Sequence, residues 1–501
     1  MMIAMSHLDA TLARLWPGCG LNGAPEGKTR LQTDSRRVTA GDVFVAVPGV
    51  LVDGRDYIDR ALADGAVGVL CHTGDGRDCP DDARVVALAG LRERLGELGR
   101  LLYGVPDDLE LIGVTGTNGK SSVTHYLAEL SQALGVDAAV IGTLGHGRPG
   151  ELSDIGLTTP GPLALQASLA ELARQGVARV AMEVSSHALE QGRLAACRLK
   201  AAVFTNLSRD HLDYHGSMAA YAAAKARLFR RPELELAVVN GDDPLARLML
   251  AGVADGVRVL ATGRDEAVTL RVLECTPRAT GQRALIATPK GERELMLPLV
   301  GRFNLDNVLL AMATLLGRGH DLEALIEAAA NLVPVPGRME VLAHPGAPTV
   351  VIDYAHTPDA LNSALEALRD HLPGRGELWC LFGCGGDRDA GKRAPMAAAA
   401  EHYADRLVVT DDNPRSEDPR VIRDQVLAGL SEEARRKAWA ISGRGAAIRQ
   451  TLRAAGPEDV VLVAGKGHET YQEIAGVRHP FDDREVARQA LRARCTGGST
   501  S

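Results

Sequence analysis

Hydrophobic and polar positions along this chain follow two periods in turn, one typical of strands and one typical of helices. Residues 109–114 form a short apolar run of strand type. Apolar side chains then recur at the spacing of one helix face, at Val123, Tyr126, Leu127, Leu130 and Leu134, and Gly135 follows directly. This stretch predicts a strand, a loop and a helix in succession.

The same alternation covers most of the chain and predicts an α/β fold with mostly parallel, doubly wound sheets. Strand-type runs in the first half lie at 43–47, 66–70, 138–142, 177–182 and 201–206. After a turn-forming segment at 334–337, a second alternating unit is predicted, with strands at 349–352, 378–382, 406–410 and 459–463. Alternating runs between about 257 and 300 predict a small antiparallel insert.

A chain of 501 residues is too long for a single hydrophobic core. The pattern predicts an N-terminal α/β domain over 1–107, a central domain with a parallel sheet over 108–336 and a C-terminal Rossmann-like domain over 337–501. Polar residues collect where the predicted strands end, which is the edge at which parallel α/β sheets bind ligands.

Composition narrows the classes of function. A net charge of -8 gives no general attraction to nucleic acid or to anionic membranes, and 3% aromatic residues are too few for base-stacking platforms. The sequence has no signal-peptide pattern and no apolar run of membrane-spanning length. The cytoplasm is therefore the expected location, and a monomer is the expected state. The eight cysteines show no tight repeat, so we expect all of them to be reduced thiols.

Residues 115–122, TGTNGKSS, lie between the first predicted strand and its helix. Glycines, a helix N-terminus and Lys120 together form a cradle for phosphates, and the Ser121 hydroxyl lies where a phosphate-bound Mg²⁺ takes an oxygen ligand. An ordinary Gly-Asn turn before a helix is the alternative interpretation. The strand before the loop and the helix after it favour a nucleotide site.

Two further candidates follow strands predicted for the same sheet. Glu183 and His211 are placed to reach Mg²⁺ bound to the phosphates. Taken singly, Glu183 also fits a solvated strand end and His211 a helix cap, but their joint position favours metal ligation. Lys225 lies in a helical stretch, where an exposed lysine is the default interpretation.

Six motifs in order resemble the Mur ligase family, ATP-dependent enzymes that build the stem peptide of the peptidoglycan precursor. They are 115–121 (TGTNGKS), 183–187 (EVSSH), 206–215 (NLSRDHLDYH), 301–304 (GRFN), 336–338 (PGR) and 353–358 (DYAHTP). The resemblance runs from about residue 31 to 485. Within the family, DNPR at 412–415 and GKGHE at 465–469 resemble members that add meso-diaminopimelate to UDP-N-acetylmuramoyl-L-alanyl-D-glutamate.

The resemblance implies a set of ATP contacts at Gly116, Thr117, Asn118, Gly119, Lys120, Ser121, Ser122, Asn304, Asn307, Arg338 and Asp353. It implies catalytic roles for Lys120, Glu183, His211 and Lys225, and Mg²⁺ ligation by Ser121, Glu183, His211 and Lys225. Lys225 matches a position that the family carries as N6-carboxylysine, formed with CO₂, which turns a cation into an anionic oxygen ligand.

The resemblance also implies contacts to the UDP substrate at Thr33, Ser35, Val50, Leu51, Val52, Thr158, Thr159, Ser185, Gln191 and Arg193. By residue type alone, Thr33 and Ser35 equally fit capping and turn roles. The segment 50–52 is apolar where some members have polar side chains, so contacts there are expected through the backbone. Leu157 replaces an amide side chain seen in some members.

Diaminopimelate contacts are implied at Arg388, Asp412, Asn413, Pro414, Arg415, Gly465 and Glu469. A guanidinium offers two donors to the distal carboxylate of diaminopimelate, which lysine lacks, and Glu469 is able to accept from the distal ammonium. An exposed turn arginine is the alternative interpretation of Arg415.

The expected activity is ATP-dependent, ADP-forming addition of diaminopimelate to the D-glutamate γ-carboxylate through an acyl phosphate. Only small-molecule substrates are expected as partners, with no nucleic acid and no membrane. The alternatives are a lysine-adding ligase of the same family, a P-loop kinase or NTPase, and a non-catalytic nucleotide-binding scaffold.

Overall fold

A computed structural model describes residues 1–21, 26–50, 52–154, 156–278, 281–372 and 374–497. The chain forms two compact units, one made of Met1–Ile112 with Asp137–Lys200 and one made of Gly113–Val136 with Ala201–Ser501. The predicted three-domain division, with boundaries after 107 and 336, stays a prediction. Leu51, a predicted contact of the UDP substrate, lies outside the described residues.

The strands are short, as is usual for α/β proteins. In chain order they are β1 (Ile3–Ala4), β2 (Lys28–Thr29), β3 (Leu31–Gln32), β4 (Val43–Ala46), β5 (Gly68–Thr73), β6 (Val85–Ala89), β7 (Glu110–Thr115), β8 (Ala138–Gly142), β9 (Gly145–Arg148), β10 (Glu151–Ser153), β11 (Arg179–Glu183), β12 (Leu199–Phe204), β13 (Leu236–Asn240), β14 (Arg258–Gly263), β15 (Leu270–Arg278), β16 (Gly281–Thr288), β17 (Gly291–Leu297), β18 (Glu340–Leu342), β19 (Thr349–Asp353), β20 (Leu378–Phe382), β21 (Arg406–Val409), β22 (Trp439–Ala440), β23 (Val460–Ala464), β24 (Tyr471–Ile474) and β25 (Val477–Pro480).

The helices separate most of these strands. They are α1 (Met5–Leu15), α2 (Ile58–Ala63), α3 (Leu91–Tyr103), α4 (Lys120–Ala133), α5 (Pro162–Arg174), α6 (Ser186–Glu190), α7 (Leu212–His215), α8 (Met218–Ala226), α9 (Ala246–Leu250), α10 (Arg302–Gly317), α11 (Leu322–Ala329), α12 (Pro358–His371), α13 (Arg393–Tyr403), α14 (Pro419–Leu427), α15 (Glu432–Lys437), α16 (Arg444–Ala454) and α17 (Asp483–Gly497). Among the described residues, none of these helices is both long and apolar enough to cross a membrane.

The first unit contains two parallel ladders. Strands β3 to β6 form a parallel sheet in sequence order, and β4 is buried along its whole length. Strand β8 pairs in parallel with β11 and antiparallel with β9. Glu183 is the last residue of β11, so it lies at the carboxyl end of this second ladder.

The second unit contains a parallel ladder of β12, β13 and β14, followed by an antiparallel meander of β15, β16 and β17. The meander confirms the predicted insert, but residues 257–262 do not belong to its antiparallel part. They form most of β14, which runs parallel to β13 because α9 carries the chain back across the sheet between them.

The C-terminal sheet of the second unit has the order β18-β19-β23-β20-β21-β22, in which only β18 is antiparallel to its neighbour. The strands β19, β23, β20 and β21 therefore end at one edge. The loops that follow them carry residues 353–358, 465–469, 383–388 and 411–415, as predicted for a binding rim. The α/β fold class predicted from the sequence is confirmed.

The prediction that all cysteines are thiols is wrong at one pair. Cys71 on β5 and Cys79 in the following loop form a disulfide, with Cα atoms 6.2 Å apart. In the loop between them, Asp75 accepts from the Arg55 guanidinium with both carboxylate oxygens, at 2.8 and 2.7 Å. The Cα separation lies within the range that a disulfide bridges.

Candidate active site

The predicted phosphate loop turns sharply between β7 and α4. Gly116 has a φ of +151° and Gly119 a φ of +83°, values that favour glycine. A Cβ on Gly116 would collide with Thr205 Oγ1, and one on Gly119 would lie 2.5 Å from Asn307 Oδ1. Side chains of Thr205 and Asn307 therefore approach the loop backbone closely, and only glycine allows both this approach and the loop's positive φ angles.

Residues after β12 hold the loop in this shape. Thr117 N donates to Asn206 O at 2.8 Å, and Asn118 N donates to Asn206 Oδ1 at 3.0 Å. Thr205 Oγ1 donates to Asn118 O at 2.6 Å. The sequence places Asn206 within a motif but predicts no role for its side chain, because the partner of a loop amide is visible only after folding.

Two lysines share one carbonyl of this loop. Lys120 Nζ donates to Gly116 O at 3.0 Å and to Thr117 O at 2.8 Å, and Lys225 Nζ donates to Gly116 O at 2.7 Å. Lys225 is only 1% exposed, so the interpretation as an exposed helix lysine is wrong. Burial, and then the charge of Lys120, lower the pKa of Lys225 well below its usual value.

His211 lies just before α7, in the left-handed region with a φ of +54°. Its ring is half-exposed, with Nε2 3.4 Å from Asp210 Oδ2. Burial lowers the pKa of His211 despite the opposing effect of Asp210. A neutral imidazole is the form that ligates a metal, so this environment suits the predicted role.

The other predicted nucleotide contacts surround α4 and the start of the C-terminal sheet. Arg338 Nη2 donates to Ser121 Oγ at 3.2 Å, and Tyr126 OH donates to Asn304 Oδ1 at 3.2 Å. Asp353 accepts from Met339 N and Ala355 N, both at 2.8 Å. The structure therefore brings Ser121, Asn304, Asn307 and Arg338 together around the phosphate loop and its helix.

An aromatic cluster beside Arg338 was not predicted. The Arg338 guanidinium lies 4.4 Å from the centre of the Tyr354 ring, which also contacts the rings of His356 and His468 at 4.6 and 5.2 Å. Burial is the main cause that lowers the pKa of His356 to about 4 and that of His468 to about 3. Both rings are therefore neutral at physiological pH.

This environment predicts an acid-sensitive contribution of His356 to stability. The ring titrates near 6.5 in the unfolded chain. Between about pH 6.5 and 4 the unfolded state binds more protons, so stability falls as the pH falls. We expect the urea midpoint to drop more between pH 7 and pH 5 for the native sequence than for His356→Gln, with the exposed His7→Gln as control. Equal drops in all three proteins would contradict this expectation.

In the first unit, Glu183 is buried and its carboxylate accepts two hydrogen bonds from Thr143. Thr143 donates to it twice, from its N at 2.9 Å to Oε1 and from its Oγ1 at 3.2 Å to Oε2. A Cβ on Gly142 would collide with Glu183 Oε1. The interpretation of Glu183 as a solvated strand end is wrong, while its role as a metal ligand stays a prediction. Thr143 was missed, although its position directly after β8 is a signal for such a role.

The predicted UDP-substrate residues of the segment 158–193 form one network. Thr143 Oγ1 and Thr158 Oγ1 lie 2.9 Å apart, and Ser185 N donates to Thr159 Oγ1 at 3.1 Å. Arg193 Nη1 donates to Thr159 O at 2.7 Å, and its Nη2 donates to Gln191 Oε1 at 2.7 Å. These bonds hold the five side chains in one connected network near the carboxyl end of β11. Val50, Val52 and Leu157 are exposed, and the expected backbone contacts of segment 50–52 stay a prediction.

Arg415 is held firmly by its backbone and one side-chain bond. Its φ is +50°, a rare value for arginine. Its backbone N donates to Glu473 O at 3.0 Å, and its backbone O accepts from Ala475 N at 2.6 Å. Its Nη1 donates to Gly386 O at 2.6 Å. Two backbone bonds keep residue 415 in this conformation and a third bond fixes its guanidinium, so Arg415 differs from a freely exposed turn residue.

Asn413 joins the loop of residues 411–415, which carries Arg415, to the loop after β23. Its Nδ2 donates to Glu469 Oε2 at 2.8 Å, and Gly386 N donates to Asn413 O at 2.9 Å. A Cβ on Gly465 would lie 2.6 Å from Asp412 Oδ2. The residues predicted to bind diaminopimelate at 412–415, 465 and 469 are therefore neighbours in the fold, with Arg388 on the adjoining loop.

Family models match the chain in three parts. The model described as "Mur ligase family, catalytic domain" covers residues 29–101, "Mur ligase middle domain" covers 114–315, and "Mur ligase, glutamate ligase domain" covers 337–467. Among solved structures, MurF from Acinetobacter baumannii has the same fold at 18% identity, with a TM-score of 0.65 and 98% coverage of both chains.

More similar relatives carry one common name, UDP-N-acetylmuramoyl-L-alanyl-D-glutamate--2,6-diaminopimelate ligase. The one from Pseudomonas aeruginosa is 50% identical over 465 residues, 92% of this chain and 95% of its own. The one from Chromobacterium violaceum is 47% identical over 468 residues, 93% and 94% of the two chains. A solved structure of that name is 38% identical, with a TM-score of 0.67 and coverage of 93% and 95%. This chain belongs to the Mur ligase family.

Proposed function

We propose that this protein is an ATP-dependent ligase that adds meso-diaminopimelate to the D-glutamate γ-carboxylate of UDP-N-acetylmuramoyl-L-alanyl-D-glutamate. The observation that carries the proposal is the position of Arg415 and Glu469 on neighbouring loops at one sheet edge. Arg415 Nη1 donates to Gly386 O, and Gly386 N in turn donates to Asn413 O. Asn413 Nδ2 donates to Glu469 Oε2. Two opposite charges on neighbouring loops suit a substrate end with both a carboxylate and an ammonium. The shared name of the 47–50% identical relatives supports the same substrate pair.

In the proposed reaction, the γ-carboxylate attacks the γ-phosphorus of ATP and ADP leaves, which gives an acyl phosphate. The free amine of diaminopimelate attacks the acyl carbon, and phosphate leaves as the amide forms. Lys120 and the loop amides bind the phosphates and stabilise the charge that develops during transfer. The UDP substrate is oriented by the network of Thr158, Thr159, Ser185, Gln191 and Arg193. Its uridine end is contacted by Thr33, Ser35 and the segment 50–52.

The donor types suit Mg²⁺: Ser121 and Glu183 would hold one ion, and His211 and a carboxylated Lys225 would hold a second. When bound, Mg²⁺ offsets the negative charge of the phosphates. Among the described residues, no group of three or more His, Cys, Asp and Glu side chains is arranged to hold a metal. The proposed donors do not require one, because they include a hydroxyl, a modified lysine and the phosphates themselves.

Mass spectrometry of the product tests the proposal. The purified protein is incubated with the UDP dipeptide, ATP and Mg²⁺, together with either meso-diaminopimelate or L-lysine. We expect a product heavier by one diaminopimelate residue, ADP release that depends on the amine, and much slower turnover of lysine. Faster turnover of lysine would indicate the lysine-adding alternative. ADP release without any amine would indicate a kinase or NTPase, and no turnover a nucleotide-binding scaffold.

A further inference from the structure

Lys466 is a fully buried cation inside the loop that follows β23. Its side chain is 0% exposed, and its Nζ donates to Glu469 Oε2 at 2.8 Å and to Asn413 Oδ1 at 3.3 Å. Burial of an ammonium group is costly unless it is paired and hydrogen-bonded. Lys466 has no role in the activity proposed above, yet both of its partners are proposed to bind the amino acid.

Lys466 and Glu473 together determine which way the Asn413 amide faces. Asn413 Oδ1 accepts from Lys466 and from Glu473 N, the latter at 2.9 Å, so its Nδ2 must point the other way. In that direction Nδ2 donates to Glu469 Oε2. Two donors therefore converge on Oε2 of Glu469. Among the described residues, no group donates to its Oε1, which leaves that oxygen for a substrate ammonium.

The same arrangement places a positive charge behind the carboxylate of Glu469. A carboxylate paired with a buried ammonium attracts a second cation less strongly than an isolated carboxylate does. A substrate end with only an ammonium then gains little at Glu469. One with an ammonium and a carboxylate also gains a charge-assisted bond to Arg415.

We propose that Lys466 is a positioning residue that fixes Glu469 and Asn413 and, by its charge, favours an amino acid with a zwitterionic distal end over one with a lone ammonium. The inference rests on the proposed function. It assigns Lys466 an effect on the amine substrate alone, since its bonds lead to Glu469 and Asn413 and not to the phosphate loop.

Kinetics of Lys466→Met test this role, because methionine fills a similar volume without charge. We expect the KM for diaminopimelate to rise about tenfold and the preference for diaminopimelate over lysine to fall about tenfold. The KM values for ATP and the UDP dipeptide should stay within about twofold. Lys437→Met is the matched control, since Lys437 pairs with Glu433 at 2.6 Å on the surface of α15 and should change none of these values.

Glu469→Gln combined with Lys466→Met separates positioning from general stability. If Lys466 acts through Glu469, the double variant should raise the KM for diaminopimelate little more than Glu469→Gln alone. Fully additive effects, or an equal rise in all three KM values, would overturn the inference. If the methionine variant does not fold, Lys466→Arg takes its place. Because Lys466→Arg keeps the charge, its preference for diaminopimelate over lysine should stay within about threefold of the native value. Loss of that preference would overturn the inference.

The native enzyme must first be shown to ligate diaminopimelate. Absence of that product refutes the proposed function. Native turnover together with an unchanged Lys466→Met variant refutes only the role of Lys466.

Discussion

Replacing Lys225 with alanine is expected to lower kcat for ligation by about two to three orders of magnitude, the loss typical of removing one group that stabilises developing charge. Lys225 is buried, donates to Gly116 O at 2.7 Å and lies near Lys120. Its lowered pKa favours the neutral amine, which is the form that reacts with CO₂. The resulting carbamate would supply an anionic oxygen ligand for Mg²⁺.

Chemical rescue checks the carbamate directly. A short carboxylate such as formate or acetate fits the space vacated in Lys225→Ala and should restore part of its activity, whereas Lys290→Ala, at an exposed lysine, should stay fully active without it. The native enzyme should lose activity reversibly when CO₂ is removed. An alanine variant with unchanged kcat would contradict any role for Lys225. A loss that no carboxylate restores, with no dependence on CO₂, would instead assign the role to the amine itself.

The parts of the site that sequence reasoning located are those whose signal is local. The phosphate loop is marked by glycines at 116 and 119 between an apolar strand and a periodic helix, and the structure has a strand, a loop and a helix there. The binding rim of the C-terminal sheet is also predictable from local signals. Parallel strands end at one edge wherever the helices between them are long enough to return the chain.

The features that sequence reasoning missed depend on contacts between distant segments. The loop between Cys71 and Cys79 carries Asp75, which pairs with Arg55 20 residues earlier. The burial of Lys466 depends on Asn413, which lies 53 residues earlier in the chain. A lysine in a glycine-rich loop looks exposed in the sequence, since nothing local shows that two neighbouring loops close over it. Polar groups that become buried are therefore the hardest to interpret before the fold is known.

Replacing Arg415 with alanine is expected to raise the KM for diaminopimelate by roughly 30-fold or more, because loss of one partner of a desolvated charge pair costs about 2–5 kcal/mol. The KM for ATP should stay within about threefold. The backbone bonds that hold residue 415 do not involve its side chain, so the loop should keep its shape in the variant. Turnover of lysine, which has no distal carboxylate, should change little. The preference for diaminopimelate over lysine should therefore fall.

Two variants make the Arg415 measurement specific. Arg415→Lys keeps the positive charge but loses the two-donor face, so its KM for diaminopimelate should fall between those of the native and alanine proteins. Arg420→Ala removes an arginine whose side chain is 81% exposed at the start of α14, against 23% for Arg415, and should leave all KM values unchanged. Equal increases in the KM for ATP and for diaminopimelate in Arg415→Ala would refute the role of the guanidinium, because a residue that grips the distal carboxylate has no direct means of weakening nucleotide binding.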